Sequence, residues 1–284
     1  MPPELWTKGS GVFDAVANTY DARRPGFPRI VFEEIAATTG LDRGSPVVEI
    51  GAGTGQATVR LAELGLHLIA VEPGAALVEL LYQRFAAHPN VTIIRLRFED
   101  WEPPETGFHA VVAASSWHWL EPATRWQKAY DVLNPYGWLV LLGHVVVTDP
   151  GEPEVYAETA DLHETHASGH PGWGHPPPPQ DVIDAAEAAS GSIADVERVI
   201  GRAPDPFETE GLFQPPLLSW YRQVQHFDAA GYVEHLRTTS LYGSLNNDIR
   251  EPLLLAIEQR IRERMNNQAT RRYLISVRLA QKRT

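Results

Sequence analysis

A chain of 284 residues, 43% hydrophobic and 21% charged, is long enough for one sizeable α/β domain with insertions and lacks the bias of a disordered polymer. Its net charge of -12 argues against nucleic acid as substrate, because phosphate contacts need a basic surface. The absence of cysteine excludes disulfides, thiolate metal sites and a cysteine nucleophile; no run reaches the roughly 18 apolar residues of a membrane span, and MPPELWTKGS lacks a signal peptide's regions, so a cytoplasmic setting is expected.

Residues 13–28, FDAVANTYDARRPGFP, read as a surface turn before a helix over 29–38, where Ile30, Phe32, Ile35 and Ala36 recur at helical intervals. The stretch from Pro46 to Gly74 is the most informative in the chain. Val47, Val48 and Ile50 form a short apolar run suited to a buried parallel strand, and Gly51, Gly53 and Gly55 break it. Alternating glycines let the backbone turn sharply and approach a ligand; from about Gly55 the spacing of Ala57, Leu61, Ala62 and Leu64 gives a helix. A second strand, His67 to Val71, ends in Glu72. A carboxylate there, about twenty residues past the first glycine, is placed to accept the hydroxyls of a ribose. The ligand is therefore expected to be an adenosine derivative, with NAD, FAD and S-adenosylmethionine all compatible. The dinucleotide fingerprint needs a third glycine where Gln56 stands, so its fit is imperfect.

A helix over 75–87 and a strand over 91–96 follow, then Phe98-Glu99-Asp100, which reads as a strand end and a solvated acidic turn. The fourth strand, 108–115, leads into Ser116-Trp117-His118-Trp119. Residues just after the first and fourth strands share one crevice in a doubly wound sheet. His118 there is either a general base or a packed residue with one hydrogen bond, and the sequence leaves both open. A helix over 121–133, a turn at Asn134-Pro135-Tyr136-Gly137 and a long fifth strand over 138–147 complete this half.

Beyond Thr148 the order changes. Residues 155–165 and 181–189 read as helices separated by HASGHPGWGHPPPPQ, which propagates neither regular structure. His163, His166, His170 and His175 invite a metal reading, but a proline-glycine loop without a carboxylate cluster gives ligands little support, so no metal is expected. A strand over 217–226, a helix capped by Asp228 and running to Thr238, an amphipathic helix over 251–264 and a last strand over 273–280 finish the chain. Arg271, Arg272, Lys282 and Arg283 flank that strand and read as a basic border blunting a sheet edge.

Glu49-Ile50-Gly51-Ala52-Gly53-Thr54-Gly55 resembles the nucleotide loop of class I S-adenosylmethionine-dependent methyltransferases. Tyr20-Asp21-x-x-Arg24-Pro25-x-Phe27-Pro28, the (Ser/Ala)-x-x-W-H-W-like run after the fourth strand and the L-x-P-x-G-x-L-x-L pattern resemble the trans-aconitate methyltransferase-like small-molecule group. The resemblance implies a doubly wound, mostly parallel seven-stranded sheet: an N-terminal segment and cofactor half over 1–147, an inserted lid or substrate region over 148–213, and a C-terminal completion over 214–284. It implies S-adenosylmethionine as cofactor and S-adenosylhomocysteine as product. Glu49 would hold the methionine ammonium, Gly51, Gly53 and Gly55 would face the cofactor, and Glu72, with Pro73 beside it, would hold the ribose. Phe98 and Glu99 would carry the adenine, although Arg97 stands where the family often has an acidic residue. Ser115 or Trp117 would line the methionine side, with Tyr20 and Arg24 folding over it and Arg24 pairing with the methionine carboxylate. His118, with His144 or Tyr20 as substitutes, would act as base. The acceptor would be a small molecule, such as an organic acid or a natural-product scaffold, and the protein a monomer or homodimer without nucleic-acid or membrane partners. The rival readings are a protein that binds the cofactor without methyl transfer, as a cyclase or scaffold, and an NAD(P)-dependent oxidoreductase.

Overall fold

The computed structural model describes residues 26–103, 107–152, 154–168, 175–200 and 211–284. Their centre is a seven-stranded sheet of order β3-β2-β1-β4-β5-β7-β6. The strands are β1 (Pro46–Ile50), β2 (His67–Val71), β3 (Val91–Ile94), β4 (Phe108–Ala114), β5 (Leu133–Val147), β6 (Leu217–Phe227) and β7 (Ala269–Gln281). The first five run parallel, and β7 lies antiparallel between β5 and β6. The chain winds outward from β1 through β2 to β3, then returns to β4 on the other side of β1. Strand order reverses there, which opens a crevice beyond the carboxyl ends of β1 and β4.

Apolar side chains alternate to both faces, as parallel strands covered on two sides require. Val48, Ile50, Val111 and Leu139 face one layer, with α4 (Pro122–Val132) supplying Trp126 and Ala129. Val47, Leu68, Val112 and Val140 face the other, closed by Phe32 and Ile35 of α1 (Arg29–Thr39) and Leu61 of α2 (Thr58–Glu63). Helix α3 (Ala75–Phe85) seats Leu81 and Phe85 behind the first turn.

The C-terminal part builds its own cluster past the strand ends. Helices α5 (Val155–Ala167), α8 (Ala229–Arg237) and α10 (Asn247–Arg264) pack Val155, Tyr232, Leu236, Leu253 and Ile257 together, with the short α9 (Ser240–Gly243) adding Tyr242. Asp228 caps α8 as expected, its carboxylate accepting the Gly231 amide at 2.7 Å. Helices α6 (Pro179–Ala188) and α7 (Ile193–Val199) cover Val147 and Leu274 on the opposite face.

Three expectations need correction. The Asn134–Gly137 stretch does not separate helix from strand: β5 starts at Leu133, and a register shift between Phe108 and Ala110 absorbs the extra residues. Asn134 closes this bulge by accepting the Tyr136 amide at 3.0 Å. The last strand is no edge, because it pairs on both sides and begins at Ala269. Its basic residues are ties within the structure. Arg272 reaches Asp149 and Glu152, Lys282 donates to the Tyr130 and Leu133 carbonyls, and Arg271 is buried. Helix α7 was unforeseen; Ser192 caps it by accepting the Asp195 amide at 3.3 Å.

Arg278 of β7 and Glu197 of α7 form a buried ion pair at 2.9 Å. Replacing Glu197 with Leu should cost about 3 kcal/mol in urea denaturation, because it leaves a buried guanidinium without its carboxylate. The double variant Glu197→Leu/Arg278→Met should recover most of that loss.

Candidate functional site

The site is assembled at the carboxyl ends of β1, β2 and β4. Gly51, Gly53 and Gly55 all take positive φ, at 66°, 60° and 89°, a conformation costly for residues with a Cβ. Their surroundings differ. A Cβ at Gly51 would lie 2.5 Å from that of Ser116, and one at Gly55 would lie 2.7 Å from the Phe85 ring, whereas one at Gly53 would meet nothing within 4 Å. Two glycines therefore permit close packing of the loop on its supports, and the middle one faces open space. Arg84 of α3 steadies the loop from behind by donating to the Thr54 carbonyl at 2.5 Å.

Two carboxylates converge here. Glu72, at the tip of β2, accepts the Gly53 amide at 2.9 Å and the Gly74 amide at 2.8 Å, so it is fixed against the loop beside the half-buried Pro73. Glu49 is 1% exposed, and its Oε2 has no hydrogen-bond partner among the described residues. Burial pushes its pKa up to about 8; Thr58 opposes that rise, and the nearby Glu72 charge adds to it.

The β4 side closes the crevice. Ser115 stands at φ 60°, an uncommon conformation for a residue with a side chain, and its amide donates to the Leu142 carbonyl at 2.8 Å. The Ser116 hydroxyl donates to the Ile50 carbonyl, joining the tips of β1 and β4. His118 is half-buried in the following 3-10 turn, its ring 5.0 Å from that of Trp119.

Three of the expected residues sit less directly on the crevice. Trp117 is buried edge-on against Trp126 at 4.9 Å, with Arg125 over its ring and its Nε1 unpartnered among the described residues. Phe98 is 2% exposed within the core, and Lys128 lies over its ring at 5.4 Å. The Glu99 carboxylate accepts the Glu121 amide at 2.7 Å and pairs with Arg97 at 3.4 Å, so it serves the start of α4. Tyr20 and Arg24 lie outside the described residues. The chain that follows them does reach the site: Gly26 sits against the Gln56 amide and accepts from Gln223 at 2.9 Å, and Phe27 accepts from Arg60 at 3.2 Å. Phe27 also packs on His144, whose Nε2 is 3.1 Å from Gln223.

Sequence reasoning missed Ser116, Arg84 and Gln223. Ser116 stood one place from a named residue, but nothing local marked which of the two serines would make the link. Arg84 and Gln223 reach the site from elements 30 and 197 positions away from their partners, and no spacing rule carries that information.

A fold in this strand order, with a glycine turn and carboxylates at the switch point, defines a class I methyltransferase architecture. Residues 47–137 match the family model of a methyltransferase domain. An uncharacterised methyltransferase of Mycobacterium bovis is 28% identical over 155 residues, covering 50% of this chain and 60% of the relative. The ribosomal RNA small subunit methyltransferase A of Geobacter sulfurreducens is 42% identical over 78 residues, 28% of each chain. The chain thus spans less than two thirds of the length of these curated relatives. A solved structure from Anaeromyxobacter dehalogenans, named for the type II methyltransferases, superposes with a TM-score of 0.58 at 19% identity, covering 90% of this chain and 97% of its own.

Gly53→Ala should leave the protein folded with a loss of about 1–2 kcal/mol from the positive φ alone, while its new methyl obstructs the open side of the loop. Gly51→Ala should be the more destabilising of the two, because its methyl collides with Ser116. Thermal denaturation of both variants, paired with titration of S-adenosylhomocysteine, separates these effects.

Proposed function

We propose that the protein is an S-adenosylmethionine-dependent methyltransferase that acts on a small-molecule acceptor and releases S-adenosylhomocysteine. The observation that carries this reading is Glu49, a buried carboxylate with an unanswered oxygen beside a glycine that faces open space. Such a group calls for a cation, and the ammonium of the methionine moiety supplies one. Glu72, at the tip of β2, is the partner for the ribose hydroxyls, and Gly51, Gly53 and Gly55 let the backbone come close. When bound, the cofactor supplies a methyl already activated by its sulfonium. The chain's own residues then have to align a nucleophile and exclude water. His118 at the β4 tip is the base for a hydroxyl, amine or carbon-acid acceptor, and residues 148–213 supply part of the acceptor wall. The net charge of -12 favours a small molecule over RNA as acceptor.

A calorimetric titration comparing S-adenosylhomocysteine with NADH tests the cofactor, and transfer of labelled methyl to a metabolite extract tests the reaction. Binding without any transfer would favour a scaffold or cyclase, and NADH binding alone would favour an oxidoreductase.

The Glu49 carboxyl must lose its proton to hold an ammonium, so affinity for S-adenosylhomocysteine should climb between pH 6 and its pKa of about 8, by at most about tenfold per unit. In Glu49→Gln the profile should be flat and the affinity about 10- to 100-fold lower. The ligand-free protein should behave oppositely. A carboxyl whose folded pKa is raised loses stability as pH rises from 4.5 through about 8, so Glu49→Gln should melt above the wild type at pH 8.5. His118→Ala should cut turnover by about 100-fold or more at saturating acceptor if His118 removes a proton; unchanged turnover would dismiss it as base.

A further inference from the structure

Arg271 opens β7 on the same sheet face as Tyr273 and Ile275, past the carboxyl end of β5. It is 8% exposed, and its Nε and Nη1 have no hydrogen-bond partner among the described residues. The charged or titratable groups acting on it most strongly are all tyrosines: Tyr156, Tyr273, Tyr232 and Tyr242. Its guanidinium lies 5.4 Å from the Tyr156 ring centre and 5.6 Å from that of Tyr273. The contrast with Arg278 on the same strand is direct, since that guanidinium is buried against the Glu197 carboxylate.

Ring faces and one hydrogen bond with the Tyr156 side chain offset only part of what a guanidinium loses on leaving water, so this cation calls for an anion beyond its tyrosine neighbours. His163, which faces Tyr242, does not add positive charge to the cluster. His163 donates from Nδ1 to the Thr159 carbonyl at 2.7 Å, burial holds its pKa down, and its Nε2 faces the Tyr242 hydroxyl at 2.7 Å, so it stays neutral. Arg272 is committed to Asp149 and Glu152. One guanidinium among hydroxyls matches a monoanion better than a phosphate dianion. The cluster also connects with the cofactor crevice. The Tyr273 ring stands 5.4 Å from that of His144, which stacks on Phe27 beside the glycine turn.

We propose that Arg271, with Tyr156, Tyr232, Tyr242 and Tyr273 around it, binds a carboxylate at the far end of the methyl acceptor. This deepens the proposed function and rests on it for the identity of the ligand as acceptor. The carboxylate is an anchor and not the methylated group. Leu142, which holds Ser115 at the crevice, pairs with Val277, and Arg271 lies six residues further along β7. That separation is roughly 20 Å of strand, too far for the anchored oxygen to be the one that meets the methyl. The acceptor is therefore an elongated monocarboxylate that reacts at its other end.

The test is calorimetry on the full chain, with and without saturating S-adenosylhomocysteine, using benzoate, 4-phenylbutyrate, octanoate, their primary amides and inorganic phosphate. Carboxylates should bind and raise the melting temperature, while amides and phosphate should not. Arg271→Met should weaken carboxylate binding about 100-fold or more, keep its affinity for S-adenosylhomocysteine, and melt no lower than the ligand-free wild type. Tyr156→Phe, a milder change, should weaken it about 5- to 10-fold. Equal binding of acids and amides, preference for phosphate, no binding of any carboxylate, or undiminished binding in Arg271→Met would each overturn the proposal. Carboxylate binding by a chain that ignores S-adenosylhomocysteine would keep this anion site and sink the proposed function instead.

Discussion

The structure turns on a carboxylate that the fold forces out of water and then leaves half-answered. Glu49 occupies an inward position on a central parallel strand, where its neighbours Val48 and Ile50 are fully buried. A side chain in that place meets low dielectric on every side, and the cost falls on its charged form. Glu72, on the adjacent strand tip, shows the alternative: two amides of the glycine loop and its continuation accommodate its oxygens. The two acids are thus placed side by side with different demands, one fixed in the frame and the other waiting for a partner.

Holding that arrangement requires a rigid rim. The loop cannot relax toward Glu49, because Gly51 is packed on Ser116, Gly55 on Phe85 and Leu81, and the Thr54 carbonyl is held by Arg84. The β4 tip cannot relax either, because Ser116 is bonded to Ile50 and Ser115 to Leu142. The unusual backbone at Ser115 is a consequence of these anchors, which overdetermine its conformation. Strain and an unsatisfied oxygen persist together at one crevice because the surrounding core is too well packed to remove them.

Much of this was legible in the sequence, for local reasons. Apolar runs ending in glycines or an acid locate β1 and bound β2, and the alternation of Gly51, Gly53 and Gly55 needs no tertiary information to announce a turn with positive φ. What failed was non-local. A strand that ends the chain looks like an edge unless one knows that β7 doubles back between β5 and β6, and only that placement buries Arg271 and Arg278. Glu99 reads as an exposed acid in its own segment, and only α4 arriving 22 residues later gives it the Glu121 amide. The packing of Phe98 and Trp117 against Lys128, Trp126 and Arg125 is likewise set by residues distant in the chain.

The division of the chain follows the division of labour. The matched domain, 47–137, contains the glycine turn, both acids and His118, whereas Arg271 and its tyrosines lie outside it. On the function proposed above, cofactor chemistry falls to the first region, and the choice of acceptor to what is built past the ends of β5 and β7. In this chain that addition is a buried positive charge facing rings, set beyond the same sheet end where the buried Glu49 carboxyl lies beside the glycine turn. Each is costly alone, and neither is relieved by the other because the strand geometry keeps them apart. A protein under no demand to bind would lose stability to both and gain nothing. The two ligands proposed above, with opposite charges at the groups they present, would offset both costs at once.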